Sequence, residues 1–477
     1  MAGAGSDPAL IARCSMSSPD QAAEAAEAPP STLLHILGVS FGIAGAVGGT
    51  VGAGILRTPG LVAAQLGSGP LIVAAWVAGA LYALLGALAV AELGASLPRA
   101  GGWTVYARRA LGDQAGFTVG WIDWVGHCAG LAWVAVTIGD YTIGLLPALP
   151  VGGKAVALLV LVGFALIQQL GLEAGSLSQK ILSLGKAIAF LGLITACFLH
   201  APLRDLAGLA EPLLDAAEPA EPIAASGISL GIGVVFAMQA VITTYDGWHS
   251  PIYFAEEFAE PSKDLPRSLV GGVLSVAGLY LLVNLALLRL LPVSRIAGSV
   301  LPLADAAEVI FGTWSAQLIV VLALISSFGL VNAVVMGAPR ILFGLSRDGL
   351  FLPQFAAVSA SGTPVLGLVV TTASAGLLVI FGDFTILLGI ASFLYVLLYL
   401  SGITALVLLR WREPDLERPF RDPGYPISAA IVWLGSFAFL IAAIRNDTAN
   451  SAGALGLILL SFPLHRLTRR LRPSPPA

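Results

Sequence analysis

Residues Gly42–Gly60 read GIAGAVGGTVGAGILRTPG, and residues Met238–Pro251 read MQAVITTYDGWHSP. Each stretch sits inside a long apolar interval and interrupts helical sequence part-way along. Gly49, Gly52 and Gly54 fall close together, and each glycine in a helix interior costs about 1 kcal/mol relative to alanine. Two readings of the first stretch stay open. Gly38 with Gly42 and Gly48 with Gly52 are small-xxx-small pairs that let helices approach closely; alternatively, the helix unwinds there.

The rest of the chain says what medium these interruptions sit in. Of 477 residues, 57% are apolar and 11% charged, where a soluble protein carries about a quarter charged residues. Mean hydropathy is +0.89. A soluble multi-domain enzyme, a disordered chain and a coiled coil all need more charge than this. Twelve intervals, the first Ala28 to Leu56 and the last Thr448 to His465, contain no Asp, Glu, Lys or Arg. A membrane-crossing helix needs about 20 mostly apolar residues, so the intervals predict an all-α membrane protein with twelve transmembrane helices. The glycine-rich stretch lies in span 1 and the TyrAspGlyTrp stretch in span 6. Five spans separate them, an odd number, so the second set of five enters the membrane in the opposite sense. That is a five-plus-five inverted repeat, whose paired broken helices meet near the midplane and form the substrate site.

The expected organisation is a disordered cytoplasmic tail (1–32), a first repeat (33–200), an extracytoplasmic loop (201–226), a second repeat (227–411), two appended spans (412–467) and a cytoplasmic tail (468–477). With the N-terminus inside, all but six of the 24 Lys and Arg residues fall on the inner side. The six are Arg57, Lys154, Arg204, Arg289, Arg295 and Arg445, and an acidic segment from Asp205 to Glu221 also lies outside. This bias places both termini in the cytoplasm and the protein in the cytoplasmic (inner) membrane. The first thirty residues have no basic start or apolar run, so no cleavable signal peptide is expected. Cys14, Cys128 and Cys197 have neither disulfide nor zinc spacing, and no cofactor or metal is expected. The net charge of -4 argues against nucleic acid as a partner.

Freed backbone inside a membrane is tolerated where it lines a cavity. A half-helix starting after Gly54 offers unpaired N–H groups and a positive dipole end, which suit a carboxylate. A half-helix ending before Tyr245 offers carbonyls, which suit an ammonium. Together they match an amino acid zwitterion.

The residues here resemble a known family. Gly48-Gly49-Thr50-Val51-Gly52-Ala53-Gly54-Ile55 with Pro59-Gly60 is similar to the first-helix signature of the amino acid, polyamine and organocation (APC) transporters. Ala91-Glu92-Leu93 with Pro98-Arg99-Ala100-Gly101-Gly102, then Tyr245-Asp246-Gly247-Trp248, then Glu256-Glu257 with Pro261 and Leu265-Pro266-Arg267, follow in the family's order. Pro339-Arg340, Ser346-Arg347-Asp348-Gly349-Leu350 and Pro353 complete the set. Bacterial amino acid permeases and L-type exchangers look most similar. The resemblance implies a twelve-span, LeuT-like fold in which the N–H groups of Ala53 and Gly54 meet the substrate carboxylate, with Gly52 beside them. The carbonyls of Thr50, Thr243 and Asp246 would face the amino group, with Thr244 and Tyr245 lining the same break. It also implies that Lys186 stands where related transporters put a lysine amine in place of sodium. Ala53 stands where the family often has a hydroxyl residue, and Thr243 where close relatives have an occluding aromatic. The gate is therefore smaller, or comes from Tyr245 or another span.

Lys186 lies about 9 Å deeper along a helix than Lys180 at 1.5 Å per residue. It is either a snorkelling lysine or a buried ammonium able to exchange a proton. Asp246 is either a cap for the following half-helix or a partner for a substrate ammonium. Glu92, Asp123 and Asp140 are each a proton site or a satisfied carboxylate. Glu256, Glu257, Lys263 and Asp264 are expected to form ion pairs at the inner mouth; Ser326, Ser327, Asn332, Ser392 and Tyr395 line the cavity or bond between helices. Five dispersed histidines offer no enzyme constellation. The reading is a sodium-independent secondary transporter of amino acids, by proton symport or exchange, with a polyamine carrier or a transport-inactive sensor as alternatives. Amino acid, protons and the bilayer are the expected partners; oligomeric state is not encoded.

Overall fold

The structure, a computed structural model, describes residues 33–200, 227–382 and 384–471. The two tails with Arg13, Cys14 and Arg472, and the 201–226 segment with Arg204 and its acidic run, lie outside the described residues. The described residues are helical, apart from turns and one isolated parallel bridge between Leu37 and Phe258.

α1 (Val39–Thr50) and α2 (Gly54–Leu66) form one bent pair, turning by 53° at the glycine-rich break. α1 is apolar all round and buried over most of its length, as an interior helix must be. Then follow α3 (Gly69–Ser96), the short α4 (Trp103–Leu111), α5 (Asp113–Leu145), α6 (Gly153–Gln169) and α7 (Leu172–His200). The chain continues with α8 (Gly227–Thr244), a 3₁₀ helix (Ser250–Glu257), α9 (Pro261–Leu290), the short α10 (Val293–Ala297) and α11 (Pro302–Phe311), and α12 (Ser315–Arg347). α13 (Val365–Phe381), α14 (Phe384–Arg412), α15 (Ile427–Asn446) and α16 (Thr448–Arg470) close the chain.

Helix lengths recur in order. α3 has 28 residues and α9 has 30; α5 and α12 have 33 each; α6 and α13 have 17 each; α7 and α14 have 29 each. α9 packs on α1 and α3, α5 lies against α12 and α14, and α2 lies along α8.

Seven of the described helices are long and apolar enough to cross a membrane, or eight with the bent pair counted as one span. This falls below twelve because an interval without charge is not yet a helix of full length. α6, α13 and the described apolar part of α8 are each only 10–17 residues long. α6 stops before Gly171, whose φ of +115° leaves the helical region.

The glycines of the first stretch divide between the two readings. A Cβ on Gly42 would lie 2.0 Å from Ser268 Oγ, and one on Gly48 would lie 1.6 Å from Gln179 Nε2, so these two serve packing. At Gly52 the nearest neighbour is Leu330 Cδ1 at 4.0 Å, so that position faces open space.

Candidate functional site

The break between α1 and α2 faces the break after α8. Their backbones touch at Gly49 and Gly247: a Cβ on Gly247, whose φ is +105°, would lie 2.3 Å from the Gly49 carbonyl oxygen. No side chain fits between them. A cavity of about 790 Å³ opens beside this junction. Thr50, Gly52, Ala53 and Gly54 line it from the first break, and Thr243, Thr244, Asp246 and Gly247 from the second.

The first backbone bond of α2 runs from Leu56 N–H to the Ala53 carbonyl at 3.2 Å. The N–H groups at the helix start therefore remain as its free donors, and Ala53 and Gly54, which supply two of them, line the cavity. The acceptor side differs from expectation. The Thr50 carbonyl accepts the Tyr280 hydroxyl at 3.1 Å, and the same hydroxyl lies 3.1 Å from the Thr244 carbonyl. One phenolic hydrogen is thus shared between the C-terminal carbonyls of α1 and α8. The Thr243 carbonyl accepts the Asp246 N–H at 3.3 Å, while its hydroxyl turns back to the Gln239 carbonyl. Thr244 joins its hydroxyl to that of Thr58 at 2.7 Å, tying α8 to α2.

Tyr245 is placed elsewhere. Its ring is buried between Trp76 and Tyr280, with centroids at 5.9 and 5.0 Å, and it does not line the cavity. The reason is rotational: one residue past the end of α8 the chain has turned toward α3, where Gly79 makes room for the ring. Its ring is thus placed away from the cavity rather than in it. Asp246 lines the cavity and accepts the Tyr399 hydroxyl. It does not cap a following α-helix, because a 3₁₀ helix follows, whose N-cap position is His249 with no side-chain cap bond.

Lys186 has no exposed surface, which removes the snorkelling reading. Its Nζ donates to the carbonyls of Gly48 at 3.2 Å, Val51 at 2.7 Å and Ser326 at 3.2 Å. A cation at the end of α1 satisfies carbonyls that the helix leaves unpaired and meets the negative dipole end. Two turns and one turn of α7 before it, Gln179 and Ser183 donate to the Ala44 carbonyl at 3.2 and 2.7 Å. The i, i+4, i+7 spacing places all three on the face of α7 that reads α1. That spacing was present in the sequence; only Lys186 stood out because it alone is charged.

His127, Trp133 and Tyr395 also line the cavity, with Ser327 and Ser392. Asn332 does not: it bonds Gln179 and Gln168 at 2.7 and 2.8 Å. Ser326 offers its carbonyl to Lys186. The histidines are not all dispersed, since His127 and His249 approach the same ring, Tyr253, at 5.0 and 5.9 Å. Among the described residues no group of three or more His, Cys, Asp and Glu side chains is placed to hold a metal.

The cavity opens toward the end of the bundle that carries Arg57 and Ala297–Val300. The other end is closed by ion pairs. Arg340 holds the fully buried Glu257, with Nη2 to Oε1 at 2.8 Å, and Arg347 holds Glu256. Asp348 receives Arg99 at 2.6 Å and Arg108 at 3.2 Å. Glu92 is a satisfied carboxylate, taking Arg410 at 2.8 Å, Arg418 at 3.3 Å and the Asp422 N–H at 2.7 Å. Lys263 pairs with Glu260 and holds that exposed carboxyl below its usual range.

The amino acid permease family model matches residues 34–460. The chain belongs to the amino acid permease family. It is 26% identical over 437 residues to the serine/threonine exchanger SteT of Bacillus subtilis (strain 168), covering 90% of this chain and 95% of that one. It is 26% identical over 440 residues to the large neutral amino acids transporter small subunit 2 of Oryctolagus cuniculus, covering 88% and 78%. To the Asc-type amino acid transporter 1 of Mus musculus it is 27% identical over 405 residues, covering 83% and 73%. These relatives are transporters, so this permease is a multi-pass membrane protein and not an enzyme.

Proposed function

We propose that this permease carries amino acids across the cytoplasmic membrane by alternating access, independently of sodium. The observation that carries the reading is the facing pair of breaks: free N–H donors of Ala53 and Gly54 on one wall of a cavity, and the carbonyl end of α8 with Asp246 on the other. An N–H cluster at a helix start attracts a carboxylate, and a carboxylate beside a carbonyl end attracts an ammonium. The names of the relatives support an amino acid as cargo. A polyamine lacks the carboxylate that the first break is built to receive.

The recurring helix lengths support a five-plus-five repeat. The pair α1/α2 corresponds to α8 with its 3₁₀ helix, and α3, α5, α6 and α7 correspond to α9, α12, α13 and α14; α15 and α16 bring the count to twelve spans. The basic bias puts both termini in the cytoplasm, and the state described is then open outward and sealed inward. Sodium independence rests on Lys186, whose ammonium fills a set of three carbonyl oxygens that a sodium ion would otherwise use. With Tyr245 turned away, Trp133 or Tyr395 is the aromatic that closes over the cargo.

The test is counterflow in proteoliposomes with labelled serine, leucine, phenylalanine, arginine and putrescine. Exchange of at least one amino acid and none of putrescine is the expected result; the reverse pattern refutes the zwitterion argument.

A further inference from the structure

One charged side chain on the cavity wall has no task in the transport reading. Gly54, Arg57, Thr58 and Leu61 all line the cavity, and their i, i+3, i+4, i+7 spacing makes them one face of α2. On its other side Ile55, Leu56, Val62 and Ala63 are buried in the bundle. Arg57 is exposed, and its guanidinium makes no hydrogen bond or ion pair among the described residues. Arg340, Arg347 and Arg410 each hold a carboxylate. Arg57 is also the only Lys or Arg among the described residues that line the cavity, and Asp246 the only Asp or Glu. The two differ in availability: Asp246 accepts the Tyr399 hydroxyl, whereas Arg57 is uncommitted. Of the other titratable groups nearby, His127 and His249 line the cavity, and Asp123 lies without exposed surface behind the His127 ring, its carboxylate 3.1 Å from Nδ1.

We propose that Arg57 selects cargo by side-chain charge, holding the permease to amino acids whose side chains carry no positive charge; the inference rests on the transport reading above and deepens it. In that reading the N–H groups at the start of α2 take the cargo carboxylate, and Asp246 faces its ammonium. Both charges of the zwitterion are then matched. Arg57 stands about 4.5 Å further along α2, as the charge that the two ends of the cargo leave unanswered. A neutral side chain adds nothing to that balance. A cationic side chain brings a second positive charge into the same cavity and must pass the guanidinium on entry, whereas an anionic one meets an opposite charge. At about 7 Å and an effective dielectric of about 50, between a protein surface and water, one unit charge against another corresponds to roughly a fivefold change in affinity. Asp246 acts with the opposite sign, so the wild-type preference is the sum of the two. Asp246, Asp123 and both histidines are common to every variant at position 57, so a change there isolates the part played by Arg57.

The experiment uses the full-length protein in proteoliposomes, with counterflow of whichever labelled neutral amino acid of the panel above exchanges fastest. Inhibition constants of unlabelled arginine and citrulline, and of glutamate and glutamine, are read as two ratios, because each pair differs in charge but hardly in shape. Any loss common to both members of a pair cancels. Relative to the wild type, Arg57→Gln should lower the arginine/citrulline ratio roughly fivefold and raise the glutamate/glutamine ratio roughly fivefold, and Arg57→Glu should move each roughly twenty-five-fold. Arg57→Lys should keep the wild-type ratios. In about 1 M KCl, where the screening length is about 3 Å, all variants should converge to within about twofold of the wild type. Should no variant reach the membrane, the wild-type arginine/citrulline ratio is followed against KCl concentration and should fall, because an exposed charge is screened more than the hydrogen-bonded Asp246. Ratios that do not change in the variants, a ratio that does not respond to salt, or failure of citrulline and glutamine to inhibit overturns the proposal. With neutral counterflow present, those outcomes refute the role of Arg57 alone, while absence of counterflow for every amino acid refutes the transport reading and this inference with it.

Discussion

Gly54→Val separates binding from folding. A Cβ at Gly54 would meet Thr244 Cγ2 at 3.5 Å and its Oγ1 at 3.6 Å, which is ordinary contact, so the first carbon is accommodated without movement. Valine adds two methyl groups about 1.5 Å beyond that carbon, in front of the N–H donors of Ala53 and Gly54. Hydrogen bonds to a charged group contribute about 1.5–3 kcal/mol each. Losing one and weakening the other removes about 3 kcal/mol, roughly a hundredfold in affinity. The assay is counterflow across a range of cargo concentrations, with gel-filtration profiles to confirm that the protein is folded. Gly54→Ala should stay within about fivefold of the wild-type KM, because only the tolerated carbon is added. Gly54→Val should reach the membrane with a normal profile and show roughly a hundredfold higher KM or no flux. A Gly54→Val protein with wild-type KM would refute the carboxylate assignment. Gly48→Ala provides the contrast: its Cβ would lie 1.6 Å from Gln179 Nε2, so it should lower stability rather than affinity alone.

Three further outcomes are expected. Tyr280→Phe leaves the Thr50 and Thr244 carbonyls without their shared donor, a loss of about 1–3 kcal/mol, visible as a lower temperature of half-inactivation; an unchanged temperature would mean that water replaces the phenol. Uptake in choline buffer should equal uptake in sodium buffer, and strict sodium dependence would sink the role given to Lys186. Glu257→Gln leaves Arg340, whose side chain is 4% exposed, without its counter-charge. That should destabilise the inner end by about 3–5 kcal/mol, read by thermal aggregation in detergent; wild-type behaviour would show that the pair does not hold that end.

The sequence announced the breaks because glycine clusters and a TyrAspGlyTrp run are local signals. Charge-free intervals marked where apolar chain lies, but not helix ends, so α6, α13 and the apolar part of α8 come out shorter than full spans. Missing from the sequence was everything set by approach across the bundle. Tyr280 lies 230 residues from Thr50, and no periodicity joins them. Gln179 and Ser183 read as ordinary polar residues until α1 is laid against α7. Tyr245 was adjacent to the site in sequence and faces away from it in space, because a helix end fixes direction as well as position. His127 and Asp123 share one turn of α5, a spacing visible from the start, but their burial and the cavity beside them come only from packing.

Apart from the pairs of Glu92 and Lys263, the ion pairs at the closed end have one feature in common: Arg340, Arg347 and Asp348 all belong to the last turns of α12 or the residue that ends it. Their partners come from separate places, the 3₁₀ helix, the turn after α3, and α4. A small tilt or axial slide of α12 would lengthen every pair together, whereas a motion of any single partner would leave the others intact. On the proposed alternating-access reading, opening of this end is cooperative, and should be timed by one helix crossing one barrier rather than by a series of latches released in turn.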